Sequence, residues 1–277
     1  MNPKLAICGV AALLSALAAA GGVAWRDHDP PELTEAADAP LPVPPVPPRI
    51  AVGRDYETCL AMLPADPAGA GEFAEAWATR GGGEAATHCL ALSRVELGDP
   101  ERGAEMLQAL AAGSHGDDAA RAAVYGQADQ AWFMAGRSDR AFASATQALL
   151  LSPDDVDLLM DRAIAAGSLD RYADALDDLA RMLERDPHRP DALVLRATAL
   201  RHLQRLDLAQ DNIGRALALD PDNAEALLER GVLRQRRNDA PGARGDWERA
   251  ITLAPDSGTA DLAQQDLALL DAGPERK

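Results

Sequence analysis

Aromatic residues make up only 4% of this 277-residue chain, and basic residues are so few that the formal net charge is −17. The shortage of basic residues argues against nucleic acid as a partner and against an anionic membrane surface, because both attract a surplus of lysine and arginine. Runs of β-branched residues that alternate with period two are also scarce, so the sequence gives no signal for strands. Alanine is abundant instead, and it has the highest helix propensity. The composition therefore favours an all-α protein.

Sequence motifs that carry chemistry are lacking as well. The chain contains no Gly-x-Ser-x-Gly, no His-Glu-x-x-His, no Walker loop and no dinucleotide fingerprint. The five histidines, at positions 28, 88, 115, 188 and 202, are scattered, and we expect each of them to be solvated. We predict no catalytic residues, no cofactor and no metal site, and we interpret the chain as a non-enzyme. The alternative, an enzyme, would need a pair of carboxylates that the sequence does not single out.

The N-terminus predicts export. Lys4 precedes an apolar stretch from Leu5 to Ala24 that ends in small residues, which is typical of a secretory signal peptide. The stretch has about 20 residues, a length that also suffices for an uncleaved membrane anchor. Either alternative makes the protein periplasmic, soluble or anchored to the inner membrane by residues 5–24. Residues 25–49 are rich in proline and favour an extended spacer, with a docking ligand for an aromatic groove as the alternative.

The three cysteines are interpreted in the light of export. Cys8 lies in the N-terminal apolar stretch, so Cys59 and Cys89 remain in the exported part. Two cysteines in an oxidising compartment most often form one disulfide, which we predict here. The alternative is a metal or haem site that uses Cys59, His88 and Cys89, although the chain has no Cys-x-x-Cys.

A regular spacing of prolines organises the second half of the chain. Pro153, Pro187, Pro221 and Pro255 recur every 34 residues, each after an apolar run. Four units fit this period, 122–155, 156–189, 190–223 and 224–257, and their twentieth residues are Ala141, Ala175, Ala209 and Ala243. The pattern resembles the tetratricopeptide repeat (TPR) family, whose 34-residue unit is a helix–turn–helix. The resemblance implies an all-α, right-handed α-solenoid in which each proline ends the second helix of a unit.

The rest of the chain completes the predicted solenoid. Residues 50–118 contain degenerate N-terminal helical hairpins, and residues 258–272 form a C-terminal capping helix with a polar outer face. Two departures from the family pattern stand out. Asp129 occupies position eight of the first unit, where the family has a small residue, and arginine occupies position seven of the later units, where the family often has leucine.

The resemblance also implies a concave groove that binds a protein or a peptide. The groove residues mapped from the family positions are Met160, Ile164, Val194, Thr198, Arg201, His202, Leu228, Val232, Gln235 and Arg236. The apolar floor with exposed arginines at one end suggests a protein or peptide partner, and acidic residues in it would match the arginines. The arginine cluster of the last two units consists of Arg196, Arg201, Arg205, Arg230, Arg234, Arg236 and Arg237. Its alternative role is internal pairing with Asp207, Glu225 and Glu229.

The function that follows is a non-enzymatic periplasmic scaffold. The alternatives are an accessory factor or enzyme that acts on envelope polymers, or a chaperone-like subunit of cytochrome maturation or outer-membrane assembly.

Overall fold

The computed structural model of the protein describes residues 48–273. Within this range the chain forms thirteen α-helices and no strand, so the all-α prediction is confirmed there. The helices are α1 (Arg54–Met62), α2 (Pro67–Ala78), α3 (Gly83–Glu96), α4 (Pro100–Gly113), α5 (Asp118–Met134), α6 (Ser138–Leu151), α7 (Val156–Ser168), α8 (Tyr172–Arg185), α9 (Pro190–His202), α10 (Leu206–Leu219), α11 (Ala224–Arg236), α12 (Ala240–Leu253) and α13 (Gly258–Ala272). The predicted signal or anchor in residues 1–24 and most of the predicted proline-rich spacer lie outside the described residues. From 48 to 273, no helix combines the length and hydrophobicity of a membrane span.

Consecutive helices pack against one another as a series of antiparallel pairs. Helices α7, α9 and α11 begin at residues 156, 190 and 224, where the 34-residue period places the starts of the units. Helices α6, α8, α10 and α12 each have 14 residues, and each ends two residues before one of the four periodic prolines. Proline cannot continue a helix, so the chain turns there and starts the next pair.

Helix α5 begins earlier than the repeat pattern indicates. The first unit is predicted to start at residue 122, whereas α5 starts at Asp118. The reason is a cap, because the side chain of Asp117 accepts a hydrogen bond from the backbone N–H of Ala120 at 2.7 Å. A local polar contact therefore extends the first helix by one turn beyond the repeat.

Small residues lie where the helices of each pair meet. The four alanines at position twenty are fully or almost fully buried. In the last unit, Gly231 also lies where the two helices meet, and a Cβ atom there would lie 2.3 Å from Nε1 of Trp247. That indole N–H donates to the backbone oxygen of Leu228 at 3.2 Å. The packing of the Trp247 indole of α12 against α11 thus depends on the absence of a side chain at Gly231.

In the second and fourth units, arginine at position seven has a structural role that the mapping of family positions onto the sequence did not reveal. Arg162 donates two hydrogen bonds to the buried carboxylate of Asp178, from Nε at 2.8 Å and from Nη2 at 2.6 Å. Arg230 binds Asp246 in the same way, at 2.9 and 2.6 Å. Each pair links the two helices of one unit, and its two residues are 16 positions apart in the sequence. Such bidentate pairs fix the orientation of the helices.

The N-terminal helices are joined by a disulfide and by a buried polar chain. The Sγ atoms of Cys59 in α1 and Cys89 in α3 are bonded at 2.01 Å, so neither thiolate is free for the alternative metal or haem site. The expectation of a solvated His88 is wrong. Its Nδ1 lies 2.6 Å from the hydroxyl of Tyr56, and its Nε2 lies 2.6 Å from Oε1 of Gln127. Burial lowers the pKa of His88, so the neutral ring is favoured.

Candidate functional site

A large open cavity lies in the groove between α9, α11 and α13, and we call it the C-terminal groove pocket. Its volume is about 540 Å³. Five predicted groove residues line it, namely Val194, Thr198, Arg201, Leu228 and Val232. The other lining residues are Leu195, Glu225, Glu229, Thr259, Leu262 and Asp266. Three of these come from the capping helix α13, which the repeat register does not cover.

The capping helix α13 therefore both covers the end of the hydrophobic core and lines the C-terminal groove pocket. Its inner face packs on the last unit through Ala260 and Ala263, both fully buried. Its exposed surface is not uniformly polar, since Leu262 and Leu269 remain more than half exposed. Leu262 faces the groove, where it adds an apolar wall to the pocket.

Three of the other predicted groove residues lie away from this pocket. Met160 is buried in the core of the solenoid and does not present a free surface. The ring of His202 stacks on Tyr172, with centroids 4.2 Å apart and planes inclined by 15°. Burial, followed by the charge of Arg201, lowers the pKa of His202. Ile164 lines a second cavity, which is described below.

Gln235 and Arg236 lie at the end of α11 and do not line the C-terminal groove pocket. Gln235 is half-buried, whereas Arg236 is exposed. The guanidinium of Arg236 donates a long hydrogen bond of 3.3 Å to Oε1 of Gln204. Arg236 is thus the exposed arginine of the predicted groove set.

Arg201 does not have the exposed position that the sequence suggested. Its side chain is only 15% exposed, and Nε donates to Oε1 of Glu229 at 2.5 Å. Burial raises the pKa of Glu229, and the bond from Arg201 offsets part of that rise. Burial also raises the pKa of Asp266 nearby. The charge of Arg201 is therefore balanced inside the pocket, where Glu225 and Asp266 add further carboxylates.

Internal pairing, the alternative role of the arginine cluster, accounts for most of its members. Arg230 and Arg234 share the buried carboxylate of Asp246, which the sequence analysis did not name as a partner. Arg237 pairs with Asp207 at 2.6 Å, as the alternative predicted. The recurring separation of 16 residues between arginine and aspartate is the sequence signal that identifies Asp246.

A second cavity of about 220 Å³ lies between α5 and α7, and we call it the N-terminal groove pocket. Its lining residues are Asp129, Gln130, Phe133, Met134, Asp161 and Ile164. Asp129 is only 2% exposed, and within the described part of the chain its Oδ1 atom has no hydrogen-bond partner. Burial, together with the nearby charge of Asp161, raises the pKa of Asp129 to about 8. The departure at position eight thus places a buried carboxyl group beside the groove.

Metal-binding geometry is not found in the described part of the chain. Between residues 48 and 273, no three side chains of His, Cys, Asp or Glu converge in a way that could hold a metal ion. The two groove pockets are suited to binding side chains by packing, hydrogen bonds and charge.

Sequence and structure comparisons agree with this geometry. Family models described as tetratricopeptide repeat match residues 131–199 and 203–258. Residues 131–199 and 203–258 carry tetratricopeptide repeats. TPR solenoids are typical of proteins that bind other proteins, so a scaffold built for protein interaction is the broad functional class.

Solved TPR structures share the fold. One is MamA, from residue 41 to its end, from Desulfovibrio magneticus RS-1, which is 16% identical with a TM-score of 0.54. The match covers 75% of this chain and 99% of that solved chain. Another is YrrB, described as a TPR protein with an unusual peptide-binding site, 20% identical with a TM-score of 0.51 over 66% of this chain and 91% of YrrB. At these identities the likeness concerns the fold alone. No curated protein matches the chain.

Proposed function

We propose that this TPR protein is an exported, non-catalytic scaffold that binds a protein or peptide segment in its concave groove. The observation that carries the proposal is the C-terminal groove pocket, an open cavity of about 540 Å³ at the end of the solenoid. Its apolar walls come from three different helices, through Val194, Leu228, Val232 and Leu262. An inserted apolar side chain would therefore be held on several sides.

Burial of an apolar side chain supplies the affinity in this proposal. Leu262 is 54% exposed in the free protein, so a partner that covers it removes apolar surface on both sides of the contact. Fully burying one large aliphatic or aromatic side chain contributes about 1.5–3 kcal/mol. The partner segment is thus expected to carry at least one large apolar residue.

The pocket charges refine the type of segment. Glu225, Glu229 and Asp266 line the cavity, while Arg201, which also lines it, is bound to Glu229. An acidic residue of the partner would be repelled at this floor. If the segment carries one, the exposed Arg236 outside the pocket is the group that meets it.

Selection from a displayed library of random peptides tests the groove. We expect the protein to enrich peptides that share a large apolar residue, and we expect Leu262→Glu to abolish their binding because a carboxylate replaces the apolar wall. The matched control is Leu208→Glu on α10, since Leu208 is similarly exposed at 51% and does not line the pocket. Equal loss of binding in both variants would refute the assignment of the groove.

Export is supported by the apolar stretch from Leu5 to Ala24 that follows Lys4. A fusion of residues 1–49 to alkaline phosphatase tests it, because that reporter folds to an active form only after export. We expect activity from the fusion and a strong loss with Leu14→Arg, which interrupts the apolar stretch. An inactive wild-type fusion would contradict export.

A further inference from the structure

We propose that the N-terminal groove pocket binds the ammonium or guanidinium group of a lysine or arginine side chain from the partner segment. Because this assigns a second subsite in the same groove, it rests on the proposed function. The pocket combines an unpaired buried carboxyl group, a second carboxylate and an apolar wall.

Asp129 provides the first requirement of such a site. The carboxyl group lines the pocket, yet Oδ1 is buried and has no hydrogen-bond partner among residues 48–273. Leaving a buried polar atom unpaired is costly, and proteins seldom keep such an atom without a use. A donor that enters from the groove would satisfy it. Burial and the charge of Asp161 raise the pKa of Asp129 to about 8, and a cation held in the pocket would favour the charged form of this carboxyl group.

Asp161 provides the second carboxylate. It lines the same pocket, and Oδ2 accepts a long hydrogen bond of 3.4 Å from Nε2 of Gln130. Burial is the main cause that raises the pKa of Asp161, and the hydrogen bond from Gln130 offsets part of this rise. The negative charges of Asp157, in the first turn of α7, and of Asp155, just before that helix, raise the pKa further. Arg162, the neighbour of Asp161 in the sequence, does not neutralise it, because its guanidinium is bound to Asp178.

The apolar wall explains why a long basic side chain fits better than a small cation. Phe133, Met134 and Ile164 form this wall, and Phe133 and Met134 are well exposed in the free protein. Lysine and arginine carry an aliphatic stem that packs on apolar surface while the charged end reaches a carboxylate. A hard divalent cation instead prefers six or more oxygen ligands, which two carboxylates beside an apolar wall do not provide. The net charge of −17 also attracts a basic segment.

The site can be tested without a known partner by comparing two small probes. The two probes are Nα-acetyl-lysine amide, with a free ε-ammonium group, and Nα-acetyl-norleucine amide. They share an aliphatic stem, but only the lysine compound carries a charge. Methyl signals of Met134 and Ile164, followed by NMR, report on the pocket itself. We expect saturable shifts with the lysine probe and binding weaker by about tenfold or more with norleucine, because a hydrogen bond to a charged group is worth roughly that factor.

Variants then decide whether the carboxyl groups cause the preference. Asp129→Asn should remove the discrimination between the two probes, whereas the control Asp177→Asn, on the exposed face of α8, should leave it intact. Equal binding of both probes, no shift at Met134 and Ile164, or unchanged discrimination in Asp129→Asn would each overturn the proposal.

Peptide selection separates this inference from the proposed function. Peptides enriched by the wild-type protein should carry a basic residue at a fixed distance from the apolar residue, and selection on Asp129→Asn should lose that basic residue only. Enriched peptides that depend on Leu262 but show no basic preference would overturn the second subsite and leave the groove proposal standing.

Discussion

The pair of Arg162 and Asp178 allows a quantitative test of how a repeat unit is held together. We consider Asp178→Ala, which removes a carboxylate whose side chain is 3% exposed and which accepts two hydrogen bonds of 2.6 and 2.8 Å. Removing one partner of a buried pair usually costs 3–5 kcal/mol, because the other charge is left without compensation. The side chain of Arg162 is 20% exposed, so water reaches it in part. We therefore expect the low end of that range, about 3 kcal/mol.

Urea denaturation followed by far-UV circular dichroism measures this effect. Thermal denaturation is a second measurement, and for a chain of this size a loss of about 3 kcal/mol corresponds to a fall of the thermal midpoint by roughly 6–12 °C. The control is Asp222→Ala, because Asp222 pairs with Arg249 at 2.5 Å while both side chains are more than half exposed. Such surface pairs contribute about 0–1 kcal/mol. If the two variants lose the same small amount of stability, the account of arginine at position seven is wrong.

Three further predictions concern the disulfide, the helix packing and the buried carboxyl group. Non-reducing mass spectrometry should find Cys59 bonded to Cys89, and the double serine variant should lose about 3–4 kcal/mol for a sequence separation of 30 residues; two free thiols would contradict the bridge. Ala209→Leu should destabilise the protein by about 1–3 kcal/mol in the same urea assay, because the site is fully buried between two helices, and a neutral effect would place the helix contact elsewhere. Asp129 in the folded protein holds its proton up to about pH 8, whereas the unfolded chain releases it near pH 4, so wild-type stability falls between these values as pH rises. Asp129→Asn should remove that decline. Between pH 5 and pH 8, the free energy of unfolding of the variant should therefore rise by at least about 1 kcal/mol relative to that of the wild type. A difference between the two proteins that does not change with pH would show that this group is not responsible.

The repeat architecture was accessible from the sequence because it depends on local rules repeated at a fixed interval. Alanine at position twenty and proline at position thirty-two constrain the helix contacts and the helix ends in every unit. The starts of α7, α9 and α11 at 156, 190 and 224 follow from that interval. The start of α5 did not, because it is determined by the side chain of Asp117, five residues before the first unit.

The candidate site was only partly accessible, since the exposure and pairing of a side chain depend on residues distant in sequence. Arg201 has the expected groove position, but Glu229, 28 residues later, takes up its charge. Met160 has an expected position too, yet the neighbouring helices bury it. Leu262 was missed because the repeat register stops before α13. His88 was assigned to solvent because nothing local indicates its partner Gln127, 39 residues away.

Site-specific crosslinking in cells that make the full chain tests the central claim, binding of a partner segment in the groove, most directly. A photoreactive benzoylphenylalanine is placed at Leu262, at Val232, or at Leu208 as the control outside the pocket. The account predicts that irradiation yields the same protein adduct from the positions of Leu262 and Val232 and none from that of Leu208. An adduct formed only from the Leu208 position, or equally from all three, would show that the partner binds another face.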